Sequence, residues 1–193
     1  MLKKLLLAAA FASSLFAYNM ADVNINGSDL QVSATTAASM SKTTTAFYTL
    51  SYLSVEDENE REHTSLYGDM LLSGKKGGAI DFGLGFRAQY FDLDYANVDS
   101  FICFPLRGKI YFNLPVKAVK TILSAELAYA PEVLVLSSDV QSTSEIRFEL
   151  NFEVMENGFA YFGFRDIELK PDGGGDSLEL NDQASFLGLK IEF

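Results

Sequence analysis

The chain has 193 residues, enough for one domain with a sizeable core or one closed barrel and too few for two ordinary domains. It carries a formal net charge of −11, one cysteine (Cys103), one histidine (His63) and no tryptophan. That inventory excludes an intramolecular disulfide and leaves little for a His/Cys metal cluster or a Ser/His/Asp triad. It also makes nucleic acid an unsuitable partner, because phosphate binding needs a basic surface. Mean hydropathy is nonetheless +0.10, so apolar residues and charges must be segregated rather than mixed.

In chain order, the first element is a secretory signal. Lys3 and Lys4 precede an apolar run from Leu5 to Phe16, and Ala17 supplies a small residue for cleavage. About a dozen apolar residues are too few to span a bilayer as a helix. No cysteine follows where lipid attachment would need one, and loss of the two lysines takes the charge from −11 to −13. Residues 18–42 are expected to form an N-terminal extension or an extra strand. Within it, "VNINGSDLQVSAT" at 23–35 is a weak run that fits a short hairpin, an extra pairing partner or a segment tucked into a barrel mouth, and the Ser/Thr/Ala-rich stretch after it reads as a linker.

From residue 43 onward a period of two dominates. In "AIDFGLGFRAQYF", Ile80, Phe82, Leu84, Phe86, Ala88 and Tyr90 fall on one face, and Asp81, Gly83, Gly85, Arg87 and Gln89 on the other. "SEIRFELNFEV" repeats the pattern with Ile146, Phe148, Leu150, Phe152 and Val154 opposite Glu145, Arg147, Glu149, Asn151 and Glu153. Such runs predict about eight strands, near 43–55, 63–73, 79–92, 100–112, 120–130, 143–154, 158–169 and 183–193. The connections alternate in character. Those at 55–63, 93–99, 131–141 and 170–182 are acidic and mostly longer, whereas those around Lys75, Lys117 and 155–158 are shorter. In an up-and-down meander alternate connections share an end, so one end of the molecule is expected to be acidic.

Alternation does not say which face is inside. A soluble barrel turns its apolar face inward and a membrane barrel turns it toward lipid. Three features favour the second. The chain carries an export signal. Charges stand in mid-strand on the polar faces, namely Arg87, Arg107, Lys109, Glu126, Glu145, Arg147, Glu149, Arg165 and Lys190, where a narrow lumen would pair them across strands. Aromatic residues make up 13% of the chain, and Tyr52, Tyr90, Phe112 and Tyr129 sit near strand ends on the apolar face, as in an interfacial girdle. The closing strand "SFLGLKIEF" then places Leu189, Ile191 and Phe193 in a lipid-facing row with Gly188 five residues before the terminus, a pattern expected to serve as the signal for the barrel-assembly machinery.

Three segments in this order, "AYAPEVL" at 128–134, "YFGFRDIEL" at 161–169 and "SFLGLKIEF" at 185–193, resemble the YfaZ family of small outer-membrane β-barrels over about residues 18–193. The tightest matches are Tyr129-Ala130-Pro131, Gly163-Phe164-Arg165 and Gly188 to Phe193. Fewer early glycines and a more acidic first loop depart from that family. The resemblance implies an outer-membrane location and a barrel fold, and carries no activity with it.

Candidate chemistry is sparse. Ser65, His63 and Asp69 are close in sequence, but Ser65 and Asp69 lie about 13 Å apart along a strand. Glu56, Asp57, Glu58, Glu60 and Glu62 offer oxygen ligands to divalent cations without the glycine and spacing of a calcium loop. The reading is therefore an all-β, antiparallel up-and-down transmembrane barrel of about eight strands at 43–193, preceded by an extra N-terminal β segment. It is expected in the outer membrane as a structural or interaction protein without enzymatic activity or cofactor. Its expected partners are lipid, lipopolysaccharide through divalent cations, and the assembly machinery. A narrow porin-like channel and a soluble exported ligand-binding barrel are the alternatives.

Overall fold

A computed structural model describes residues 19–56, 62–74, 79–93, 100–116, 118–137, 139–171 and 180–193. The signal segment with Ala17, and the acidic run at 57–61, lie outside the described residues. Among them no helix is long and apolar enough to cross a membrane, and the architecture is strand throughout.

Twelve antiparallel strands form one sheet that closes on itself. They are β1 (Asn19–Ile25), β2 (Leu30–Ser39), β3 (Thr44–Glu56), β4 (Glu62–Gly74), β5 (Ile80–Leu93), β6 (Phe101–Cys103), β7 (Leu106–Leu114), β8 (Thr121–Ala130), β9 (Val135–Leu136), β10 (Val140–Met155), β11 (Gly158–Pro171) and β12 (Leu180–Glu192). Each of the long strands pairs with its neighbours in sequence, and β1 closes the ring against β12 through Met20↔Glu192 to Ile25↔Leu187. Beyond that ladder, Asn19 and Phe193 exchange backbone bonds, N–H to carbonyl, at 3.1 and 2.8 Å.

Two of the twelve are continuations of others. β6 and β7 face β5 in one unbroken register, from Phe91↔Phe101 to Ile80↔Phe112. The gap between them falls at Pro105, which has no N–H to give the ladder although its carbonyl still accepts from Arg87 N at 2.9 Å. β9 likewise prolongs β8 after a 3₁₀ turn at Glu132–Leu134. The pairing sum shifts by three between Leu106↔Tyr129 and Cys103↔Val135, so the turn is a three-residue insertion in an otherwise continuous strand. Twelve strands less two continuations leaves ten around the barrel.

The expectation of about eight strands is thus corrected to ten. The eight predicted from residue 43 onward are all present, and the two extra ones are β1 and β2, in the segment expected to hold an extra N-terminal β segment; it is a hairpin of two full barrel strands, and part of the stretch read as a linker belongs to the second of them. β2 includes Ser33–Ser39, which pairs with β3 over ten positions, Leu30↔Ser54 to Ser39↔Thr45. Small and hydroxylic residues on both faces gave this strand almost no apolar contrast, and its partners on either side supply the order its own pattern lacks.

The barrel wall sorts residues by face as a membrane barrel does. On β5 the outward Phe82 and Leu84 are 66% and 65% exposed, while Arg87 on the inner face is 1% exposed. The outward row from Ile80 to Tyr90 spans ten steps, which at about 3.3 Å per residue and a tilt near 40° makes an apolar belt about 25 Å tall. Tyr52, Tyr90 and Tyr129 lie toward one edge of that belt and Phe112 toward the other. At the edge carrying the tyrosines the outward positions of β10, β11 and β12 turn polar, with Ser144, Asp166, Glu168 and Gln183.

Two glycines let β11 and β12 pack large side chains inward. Tyr161 stands opposite Gly188, and Phe186 opposite Gly163. A Cβ at Gly188 would overlap the Tyr161 ring, and one at Gly163 would overlap the Phe186 ring and sit 2.9 Å from the Phe148 carbonyl. Each aromatic lies across the glycine on the neighbouring strand, and the two rings meet edge to face at 6.0 Å.

Candidate functional site: a blind cup in the barrel lumen

The inner face of the barrel is organised in three layers along its axis. Toward the β1–β2 turn and the ends of β3, β5, β9 and β11, the inner face is lined mainly by buried apolar side chains, with the polar His63 and Arg165 also buried there. Phe91, Leu93, Phe101, Cys103, Ala130, Val135, Val140 and Leu169 make one buried cluster, and Leu53, Val55 and Ile167 another. Phe91 and Phe101 stack with centroids 5.1 Å apart. Just inside this plug the remaining void beside Gln89, Phe91 and Ile167 measures about 10 Å³, no more than a single water requires.

The middle layer is a charge lattice. Arg87 reaches three strands at once: it is paired with Glu145, with Glu126 at 3.1 Å and with Asp69 at 3.8 Å, and its guanidinium lies 3.9 Å over the Tyr67 ring. Arg107 donates to Glu126 from Nε and Nη2 at 2.6 and 2.8 Å and is also paired with Asp69. Lys109 adds a third cation to Glu126 at 3.2 Å. A second group centres on Glu149, which accepts from Arg147 Nε at 2.8 Å and Lys190 Nζ at 2.5 Å. Lys190 also lies 3.9 Å from Asp22, whose carboxylate accepts from the Tyr161 hydroxyl at 2.5 Å. Arg147 reaches across the lumen to Gln31 on β2 at 2.6 Å, and Gln31 donates to the Tyr67 hydroxyl. Desolvated ions on this scale persist only when geometry and hydrogen bonds satisfy them, and this lattice does so by giving most carboxylates more than one cation.

All nine charges expected in the lumen face inward, but they do not form one network. Arg165 stands apart near the plugged end, 1% exposed, bonded to Asp29 at 2.6 Å and Asp182 at 2.9 Å. It ties the β1–β2 turn to β12. Within that turn Asp29 accepts from Asn26 Nδ2 at 2.8 Å, and Asn26 Oδ1 accepts from the Ser28 and Asp29 amides. Asp22, Asp29, Asp69 and Asp182 were not anticipated as partners. Asp69 was legible, since it shares the inward row of β4 with His63, Ser65 and Tyr67. Asp22 lies on β1 and Asp29 in the β1–β2 turn, in the N-terminal segment whose place in the barrel its weak pattern left open.

The third layer is open space. A cavity of about 160 Å³ extends from the charge lattice to the end carrying Asn19 and Phe193. Its walls combine hydroxyls from β2 to β4 (Ser33, Thr35, Thr49, Ser51 and Ser73) with Phe47, Leu71, Ile122 and Phe159. The hydroxyls bond in pairs, Ser51 to Ser33 at 2.8 Å and Thr35 with Thr49 at 3.0 Å. The lumen is therefore a cup with a charged floor and an apolar seal beneath it.

Ser65 and Asp69 are committed elsewhere than to His63: Ser65 accepts from Gln89 Nε2 at 2.8 Å and Asp69 holds Arg107. Of the residues proposed as an assembly signal, Leu189, Ile191 and Phe193 lie on the outer surface of β12 and are exposed, whereas Gly188 faces inward beneath Tyr161. The acidic residues at 57–61 lie outside the described residues.

No protein-family model matches the chain, and no curated protein sequence does either. Solved structures similar to it include LpxR from Salmonella typhimurium, with a TM-score of 0.52 and 7% identity over 92% of this chain and 99% of that one. A bacterial polysaccharide outer membrane secretin (TM-score 0.46, 8% identity, 91% of this chain and 64% of that one) and the NanC porin (TM-score 0.44, 8% identity, 90% and 98%) are also similar. At these identities the likeness to LpxR is one of fold: a closed antiparallel β-barrel.

Proposed function

We propose that the protein is an integral outer-membrane barrel that does not conduct, acting in the envelope through its surfaces and its lumenal cup rather than as an enzyme. The observation that carries this reading is the inversion of faces, with an apolar belt about 25 Å tall outside and a fully paired charge lattice sealed by an apolar plug inside. A soluble barrel would bury Phe82, Leu84 and Phe148, and here they are on the outside. The order of the motifs around Tyr129–Pro131, Gly163–Arg165 and Gly188–Phe193 supports a YfaZ-type assignment as part of this proposal, and the signal segment ending at Ala17 supports the export route.

With the termini toward the periplasm, the cup opens inward and the plug lies beneath the outer mouth. A porin-like path would require Phe91, Phe101, Leu53 and Ile167 to leave the lumen. Purified protein in planar bilayers is expected to show no steady conductance, whereas Phe91→Ala/Phe101→Ala, which removes the stacked pair, is expected to show some. Steady conductance by the unaltered protein would overturn the closed-barrel reading. Recovery of the unaltered protein with the periplasmic fraction, with equal gel mobility before and after heating, would overturn the membrane reading.

A further inference from the structure

Six carboxylates and four cationic side chains line the cup. Asp22, Asp69, Glu126 and Glu149 each have a cation within 4 Å. The other two, Asp81 on β5 and Glu192 on β12, have no ion pair among the described residues, and they account for the excess of negative charge. Asp81 is only 7% exposed, lines the cavity, and its Oδ2 is buried with no hydrogen-bond donor among the described residues. A buried carboxylate in that condition is unfavourable unless a cation joins it.

We propose that the cup binds a small organic cation with a primary ammonium head, the ammonium seated on Asp81. An ammonium brings three donors and no acceptor, which matches a carboxylate in a cup that serine and threonine oxygens also line. Phe47 and Leu71, which line the same cup, offer its carbon body apolar surface. A cavity of about 160 Å³ is in the size class that admits a molecule as large as benzene, so a few heavy atoms beyond the nitrogen fit. A divalent metal fits less well: among the described residues no group of three or more His, Cys, Asp or Glu is arranged to hold one, and hard divalent cations want six or more oxygens or ordered waters. The site depends on the open cup and not on which membrane holds the barrel, so it stands or falls separately from the location proposed above.

The test is calorimetric titration of the full-chain folded barrel in uncharged detergent at constant sodium chloride, with ethanolammonium chloride as the probe and ethylene glycol as its neutral counterpart. Saturable one-to-one binding of ethanolammonium is expected, weakened at least tenfold in Asp81→Asn and unchanged in Asp166→Asn on the outer surface. Without probe, Asp81→Asn is expected to unfold at or above the temperature of the unaltered protein, which separates loss of the site from loss of the fold. Equal affinity in Asp81→Asn, no saturable heat in the unaltered protein, or ethylene glycol binding as tightly as ethanolammonium would each overturn the proposal.

Discussion

Replacing Glu126 with Gln keeps the shape of the side chain and removes the charge on which three cations converge. In the folded barrel Glu126 accepts two bonds from Arg107 and lies 3.1 Å from Arg87 and 3.2 Å from Lys109. All three cations are largely shielded from water. Arg87 keeps Glu145 and Asp69, and Arg107 keeps Asp69, but Lys109 loses the carboxylate it is paired with. Breaking a buried pair by removing one partner costs about 3–5 kcal/mol, and the retained partners of the two arginines place the expected loss at the lower end of that range, about 3 kcal/mol. The control is Glu168→Gln on the outer rim, where the pair with Lys170 at 3.5 Å is 35% and 54% exposed and is worth about 0–1 kcal/mol. Urea unfolding in detergent, followed by the loss of heat-dependent gel mobility, measures both. The double variant Glu126→Gln/Lys109→Met should recover part of the loss, because it removes the stranded cation along with its partner. If Glu126→Gln costs no more than Glu168→Gln, the lumen is hydrated enough to screen its ions, and the sealed charge lattice is the wrong description.

Gly163→Ala should destabilise the barrel by about 1–3 kcal/mol through overpacking, since the new methyl would meet the Phe186 ring and the Phe148 carbonyl. Adding Phe186→Leu should relieve much of that loss, and a purely additive pair in the same unfolding assay would refute the cross-strand fit. Topology is open to a membrane-impermeant thiol label on intact cells, because the native Cys103 is buried. A cysteine at Ser28→Cys in the β1–β2 turn should react, and one at Ser41→Cys in the β2–β3 turn should not. The reverse result would turn the cup toward the outside.

The strands from Thr44 onward are determined by the sequence itself, because an extended chain puts alternate residues on opposite faces and runs such as Ile80–Leu93 and Ile146–Val154 leave no other regular reading. The same alternation marked Arg87, Arg107, Lys109, Glu126, Arg147, Glu149, Arg165 and Lys190 as one-sided before any packing was known. It is silent where side chains are small, and so the second half of β2, with Ser33, Thr35 and Ala37 facing in and Ala34 and Thr36 facing out, reads as a linker by its own pattern and is a strand because β1 and β3 flank it. It is silent too on the strand count, on Pro105 and the 3₁₀ turn as interruptions of single strands, and on the direction of each face. Those belong to the tertiary structure, because pairing is a contest among all the strands at once. Which carboxylate meets which cation follows from the same closure. Arg165 bonds Asp29, 136 residues away along the chain, rather than the nearer lumenal glutamates, and Asp81 is left without a cation among the described residues, because barrel curvature and strand stagger set height along the axis, and ions pair with what stands at their own height.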